Sequence, residues 1–281
     1  MTLSLPHGLS RRLVRAREVP LVGAVMYRAR PVADRAFIAL RRPPIRARRD
    51  GLELRGFLRH RSFLQRLETA DYEDYSIELF LGRILASTVT VDGGAHLGYV
   101  SLAASRKRPA RLIAVEPDPY NFAALTINAR SAGVELIRAA LSEQDGDAVF
   151  YSSSGTVAGS LVNKSYVHDK TAFDVPLRSV DSLLAAGAPQ DILIKLDVEG
   201  AEAPVLRGGR SVLEGCRRGG LLVEHNPSAL ADAGSSAAEI LELLEGYGFR
   251  SHFVCEEERE LEPVSAAQPP TEKGNIWSVK D

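Results

Sequence analysis

The 281 residues are 45% apolar and 25% charged, with a formal net charge of −1. A chain of this length can bury a sizeable core as one large domain with an appended segment, and no apolar run reaches the about 18 residues of a membrane span. Cys216 and Cys255 have no paired spacing, which excludes a disulfide framework and a Cys-based zinc site.

The start lacks the basic, apolar and small-residue regions of a secretory signal, so the expected setting is a reducing cytoplasm. Residues 1–66 hold sixteen Arg, no Lys and four acids (Glu18, Asp34, Asp50, Glu53). That segment is therefore +12 and the remainder −13. Such an Arg-rich arm can contact phosphate or anionic lipid. The plainer reading is that it docks on its own acidic domain or reflects Arg-biased composition, since no aromatics interleave with the charges as in single-strand binders.

Apolar positions at helical spacing (Leu13, Val14, Ala16, then Leu21, Val22, Val25, Met26) predict short helices divided by Pro20 and Pro31. Residues 45–55, centred on Asp50-Gly51, predict a hairpin, and a helix is expected over 77–85. From Thr88 onward short apolar strands alternate with helices. The strands are expected at 89–91, 112–115, 136–141, 192–196 and 221–223, and a last one at 275–279 after a Pro-containing loop. The helices are expected at 99–105, 120–132, 203–213 and 237–247. This alternation predicts a parallel sheet covered on both faces. The domain reading is a helical and hairpin extension over 1–66 and an α/β domain over 67–281.

The most informative stretch is Val89-Thr90-Val91-Asp92-Gly93-Gly94-Ala95-His96-Leu97-Gly98. A buried strand runs into a Gly-rich turn and then a helix N-terminus, whose free N–H groups favour an anion. Glu116 ends the next strand, where a carboxylate can accept hydrogen bonds from two ribose hydroxyls. Gly93-x-Ala95-x-x-Gly98 loosely matches a dinucleotide fingerprint. Asp92, however, would repel a pyrophosphate and attract the cationic groups of S-adenosylmethionine (SAM). A turn-capping aspartate would look the same locally, and the coincidence of Asp92 with Glu116 favours the ligand.

These blocks resemble the FkbM family of class I SAM-dependent methyltransferases. The resemblance is carried by Val91-Asp92-Gly93-Gly94-Ala95-His96-Leu97-Gly98-Tyr99, by Ala114-Val115-Glu116-Pro117-Asp118-Pro119 with Asn121-Phe122, and by Ala140-Leu141-Ser142. It continues through Ile194-Lys195-Leu196-Asp197-Val198-Glu199-Gly200-Ala201-Glu202 and Val205-Leu206-Arg207-Gly208, and Tyr72-Glu73 stands where the family usually has a Tyr-Glu pair. It implies a Rossmann-like, seven-stranded, mostly parallel sheet and methyl transfer to a hydroxyl of a sugar, glycolipid or polyketide-type product. Carried over residue by residue, Asp92, Gly94 and Gly98 would frame the methionine part of SAM, Glu116 would hold the ribose, and Asp118 and Ser142 would lie near the adenine. His96 stands where the family more often has Asn; both can hydrogen-bond, and His96 is counted among the cofactor residues.

Transfer to a hydroxyl needs alignment of two substrates and a base near the departing proton. Asp197 and Glu199 follow the 192–196 strand, where Lys195 and Asp197 share a face and a salt bridge is the plain expectation. Glu202, at a helix start, also suits the helix dipole. His225, in Glu224-His225-Asn226-Pro227, is the best base by intrinsic pKa. The catalytic candidates are thus Asp197, His225 and Glu199. No metal is assigned, although Asp197, Glu224 and His225 would form an oxygen-rich set for Mg²⁺ or Mn²⁺. The segment Gly155–Leu161 and the following Lys164–His168 suit either a wall of the acceptor pocket or an ordinary hairpin.

Two readings compete with a small-molecule or glycan O-methyltransferase. One is a nucleic-acid methyltransferase docking through the Arg-rich segment, disfavoured because Asp-Val-Glu-Gly replaces the Asp/Asn-Pro-Pro-aromatic turn that amino methylation resembles. The other is a non-catalytic SAM-binding scaffold, with residues 1–42 on an anionic membrane surface. A dehydrogenase is disfavoured by Asp92.

Overall fold

The computed structural model describes residues 43–69, 72–153, 159–162, 170–185 and 189–281, together with Ala36 and Ile38. The helices expected in the first forty residues lie outside the described residues, apart from those two positions.

The chain begins with an antiparallel hairpin of β1 (Ile45–Arg49) and β2 (Leu52–Gly56). Asp50 and Gly51 both have positive φ, 49° and 70°, the backbone that a two-residue type I′ turn demands. A 3₁₀ turn (Leu58–His60) and helices Arg61–Glu68 and Asp74–Gly82 follow, the latter beginning three residues before the expected start. Then come β3 (Val89–Gly93), helix Tyr99–Ser105, β4 (Arg111–Val115), helix Pro119–Ala129, β5 (Glu135–Ile137) and β6 (Ala140–Leu141). Next are β7 (Gly146–Ser153), β8 (Gly159–Ser160), β9 (Lys170–Arg178), helix Val180–Leu183, β10 (Asp191–Leu196) and helices Glu202–Gly208 and Arg210–Gly215. The chain finishes with β11 (Arg218–His225), helices Pro227–Asp232 and Ala237–Gly246, β12 (Arg250–Cys255), β13 (Glu260–Val264) and β14 (Gly274–Lys280).

The large sheet has the order β13-β12-β14-β11-β10-β3-β4-β5. β3, β4, β5, β10 and β11 pair in parallel, while β14 joins β11 and β12 antiparallel. The fold is Rossmann-like α/β, as the sequence implies, with one correction: the sheet has eight strands instead of seven. The extra strand, β13, carries alternating exposed positions and Pro263, a composition suited only to a sheet edge.

Alternation along the central strands decides what each face buries. All six residues of β10 are buried. Leu193, Leu112 and Ala114 belong to one apolar cluster, and Ile192, Ile194, Ile113 and Val115 to the other. Burying such side chains contributes roughly 2 kcal/mol each. The first cluster also takes in Leu54, Phe57, Phe63, Leu64 and Leu67. Residues 43–69 therefore share one core with helices Tyr99–Ser105 and Pro119–Ala129.

Two expected elements are divided. The predicted strand 136–141 splits into β5 and β6, because Arg138 and Ala139 carry the chain from the large sheet into a four-stranded one of order β6-β9-β7-β8. The predicted helix 203–213 breaks at Gly209, where Gly208-Gly209 weakens the helix. Among the described residues no helix is long and apolar enough to cross a membrane.

Candidate functional site

A cavity of about 370 Å³ opens at the carboxyl ends of β3, β4, β10 and β11, the edge at which open α/β sheets bind ligands. β3 brings Asp92 to it. This side chain is 1% exposed, and Ser101 Oγ donates to its Oδ2 at 2.5 Å. Its Oδ1 carries no hydrogen bond and faces Lys195 Nζ at 4.0 Å. Burial raises the Asp92 pKa, and Lys195 partly offsets it.

The turn after β3 is built on glycine. Gly94 has φ +74°, and a Cβ there would overlap Asp197 O and approach its carbonyl carbon to 2.9 Å. Gly98, at φ +88°, starts helix Tyr99–Ser105. His96 lies between them at φ +52°. Its ring packs edge-on against Phe63, with centroids 4.4 Å apart, and burial lowers its pKa to about 4. The neutral ring leaves Nε2 without a hydrogen bond.

Glu116 closes β4. Its Oε2 accepts from His96 N at 2.8 Å, and its Oε1 from Asp118 N at 2.9 Å and Asn121 Nδ2 at 3.2 Å. Burial first, and Asp118 second, push its pKa up to about 8. A carboxylate has about four lone-pair sites, so with two donors on Oε1 and one on Oε2 it is Oε2 that retains accepting capacity. Asp118 itself caps helix Pro119–Ala129 by accepting from Tyr120 N and Asn121 N. Its other oxygen accepts from Ser152 Oγ and pairs with Arg59 at 3.4 Å. Asp118 and Ser142 are not on the cavity wall; Pro117 and Ala139, Ala140 and Leu141 are. Ser142 instead donates its backbone N–H to Arg178 O in the small sheet.

Lys195 on β10 sits directly across from Asp92 in the parallel register and donates to Asp197 Oδ2 at 3.2 Å. Burial disfavours its charge, yet Asp197 and Asp92 hold its pKa above the ordinary lysine range. Burial likewise works against an ionised Asp197, but Lys195 keeps it below the usual carboxylate value. Glu199, at φ +54°, also lines the cavity. Glu202 does not: it is 1% exposed and accepts from Val198 N and Gly200 N, clamping the loop that carries Glu199.

His225 stands apart from the other catalytic candidates. Although buried, it is absent from the cavity wall, and its Nδ1 donates to Glu272 O at 2.7 Å. Strand alternation turns Glu224, not His225, toward the cavity. Glu224 pairs with Lys273 at 3.0 Å, and burial, then Asp197 and Glu199, push its pKa to about 9. Carboxylate oxygens of Asp197, Glu199 and Glu224 lie within 4.8 Å of one another. The oxygen-rich cluster therefore contains Glu199 in place of His225, and Lys195 and Lys273 already bring positive charge to it.

The opposite wall comes from residues before β3: Phe63, Arg66, Tyr72 and Glu73. Burial raises the pKa of Tyr72 and of Glu73, and Asp197 adds to the latter. Sequence reasoning missed Phe63, Arg66 and Lys273 as wall residues. Phe63 lies at helical spacing with Leu64 and Leu67, which signals a core and not a site. Gly159 and Leu161 also reach the wall, while 154–158 and 163–169 lie outside the described residues.

Comparison with known proteins adds the family. Residues 92–251 match the model of the methyltransferase FkbM domain. A hexuronic acid methyltransferase, AglP, of Haloferax volcanii is 30% identical over 187 residues, covering 64% of this chain and 76% of the relative. Among solved structures, an FkbM methyltransferase from Methylobacillus flagellatus is 16% identical with a TM-score of 0.45, covering 92% of this chain but only 60% of its own. A putative O-methyltransferase from Klebsiella pneumoniae is 13% identical with a TM-score of 0.45, covering 79% and 85%. With the family pattern matched over more than half of its length, the chain belongs to the FkbM family of methyltransferases.

Proposed function

We propose that the chain transfers a methyl group from SAM to a hydroxyl of a sugar or similarly hydroxylated small molecule. The observation that carries the reading is Asp92: a buried carboxylate with one oxygen lacking any hydrogen bond, on the wall of the cavity at the carboxyl edge of the sheet. An anionic wall of this kind suits a ligand with an ammonium or sulfonium and opposes a pyrophosphate. SAM, when bound, supplies the electrophilic methyl carbon.

The chain's own residues do the rest. Asp92 and the Gly94 turn hold the cationic amino-acid end, with Gly98 and His96 completing that turn. Glu116 accepts from the ribose hydroxyls. Asp118 and Ser142 act on the adenine side only indirectly, Asp118 by fixing the start of helix Pro119–Ala129 and Ser142 by anchoring the strand end after Leu141.

On the acceptor side Asp197 is the base, and Glu199 orients the acceptor beside it. Lys195 keeps Asp197 ionised, and a weak base suffices because the attacking oxygen becomes strongly acidic only as its new bond forms. Glu224, crowded by two carboxylates, keeps a proton near neutrality that it shares with Asp197. His225 has no part in proton transfer. The sugar class draws support from the relative named as a hexuronic acid methyltransferase.

The test is transfer of label from radioactive SAM to a panel of free and glycosidic sugars. Label in a hydroxylated acceptor that is lost in Asp197→Asn, with cofactor affinity retained, supports the reading. Wild type that binds the cofactor and labels none of the panel refutes the acceptor class.

A further inference from the structure

The FkbM match begins at residue 92, yet a hydrogen-bond chain enters the candidate cofactor site from residues well before it. His60 is 1% exposed. Its Nδ1 lies 3.0 Å from the backbone N of Phe57, and an amide N–H can only donate, so Nδ1 accepts. The ring proton therefore sits on Nε2 and is donated to Asn121 Oδ1 at 3.0 Å. That fixes the orientation of the Asn121 amide, whose Nδ2 donates to Glu116 Oε1 at 3.2 Å. Burial, with His96 and Arg59 nearby, keeps His60 neutral. Every donor in the series points toward the Glu116 carboxylate.

The same segment supports the other oxygen. His96 donates its backbone N–H to Glu116 Oε2, and its ring is wedged edge-on between His60 and Phe63, with centroids 5.6 Å and 4.4 Å away. Glu116 is thus held at Oε1 by Asp118 N and Asn121 and at Oε2 by His96, and the Asn121 and His96 supports lean on residues 57–63. A carboxylate fixed by donors on both oxygens keeps its remaining lone pair, on Oε2, in a set direction, and this is how supporting residues tune a binding group.

We propose that His60 is a positioning residue for the cofactor: through Asn121 it aims Glu116 at the ribose hydroxyls, so the segment before the FkbM domain completes that domain's binding site. This rests on the SAM reading above. The alternative is that His60 only fills the core beside Phe57.

The two are separated by calorimetry with S-adenosylhomocysteine (SAH) and with its 2′,3′-dideoxy analogue, which lacks both ribose hydroxyls. The wild type is expected to prefer SAH. His60→Ala should weaken SAH at least tenfold and leave the analogue within twofold. In the double variant with Glu116→Gln the losses should fail to multiply, because both changes disable one contact. Asn121→Leu, which keeps volume but not the relay, should reproduce the selective loss and serves if His60→Ala does not fold. Equal weakening of both ligands, or losses that multiply, would overturn the positioning role. Equal wild-type affinity for the two ligands would overturn it as well, while leaving SAM binding intact. Failure of folded wild type to bind either ligand would refute the SAM reading itself and take this inference with it.

Discussion

Gly94→Ala perturbs the turn on which the cofactor reading depends, and its cost can be worked from two sources. The backbone at Gly94 has φ +74°, a left-handed conformation that costs an L-residue about 1–2 kcal/mol. The new Cβ would also overlap Asp197 O, a backbone atom at the end of β10 that no rotamer change can move. Overpacking of this kind typically costs about 1–3 kcal/mol. Together they give about 2–5 kcal/mol, or a melting temperature lower by about 5–15 °C for a chain of this size. Gly133→Ala is the control, because Gly133 has a similar φ of +69° but nothing within 4 Å of an added Cβ. It should lose only the conformational part. Thermal unfolding of both variants, with SAH titration of each, reads the difference. Gly94→Ala should also weaken SAH at least tenfold, since relief of the overlap must displace the β3 turn or the β10 end. Equal melting temperatures for the two variants, with unchanged SAH affinity in Gly94→Ala, would refute the reasoning.

Three further outcomes are expected. SAH affinity should rise as pH increases from 6.5 to 8.5, because ribose hydroxyls donate to an ionised Glu116, and burial and Asp118 have raised its pKa to about 8. The pH profile should flatten in Glu116→Gln, and a wild-type profile identical to that variant's would contradict the assignment. Lys195→Met should cost about 3–5 kcal/mol, chiefly by leaving the buried Asp92 without its cation, with a smaller share from the half-buried Asp197. In that variant both folded-state carboxyl pKa values lie above their unfolded values, so stability is lost as pH rises; denaturant unfolding should show a larger deficit at pH 8 than at pH 5. Finally, His225→Gln should keep methyl transfer within about threefold, whereas Asp197→Asn should lower it about a hundredfold or more; a large loss in His225→Gln would restore His225 as the base.

The central strands were legible because burial on both faces leaves near-continuous apolar runs, as in residues 192–196. The small sheet was not. β7 exposes Val149 and mixes Asp147 with serines, and β9 contains Pro176, so neither shows clean alternation. The Asp92 turn and Glu116 were readable because their spacing reflects one strand-turn-helix unit. His60, Phe63, Arg66 and Lys273 were not, since Phe63, Arg66 and Lys273 reach the cavity wall, and His60 reaches Asn121 behind it, from distant parts of the chain that only tertiary packing brings together. Glu224 and His225 show the limit most sharply: the sequence places both at a sheet edge, and only the strand's rotation decides which one faces the cavity.

The most direct test of the account is calorimetric titration of the full chain with SAH and, separately, with NAD⁺, alongside Asp92→Asn. The account predicts micromolar binding of SAH, no binding of NAD⁺, and SAH affinity at least tenfold weaker in the folded variant. Binding of NAD⁺ in place of SAH, or unaltered SAH affinity in Asp92→Asn, would contradict it.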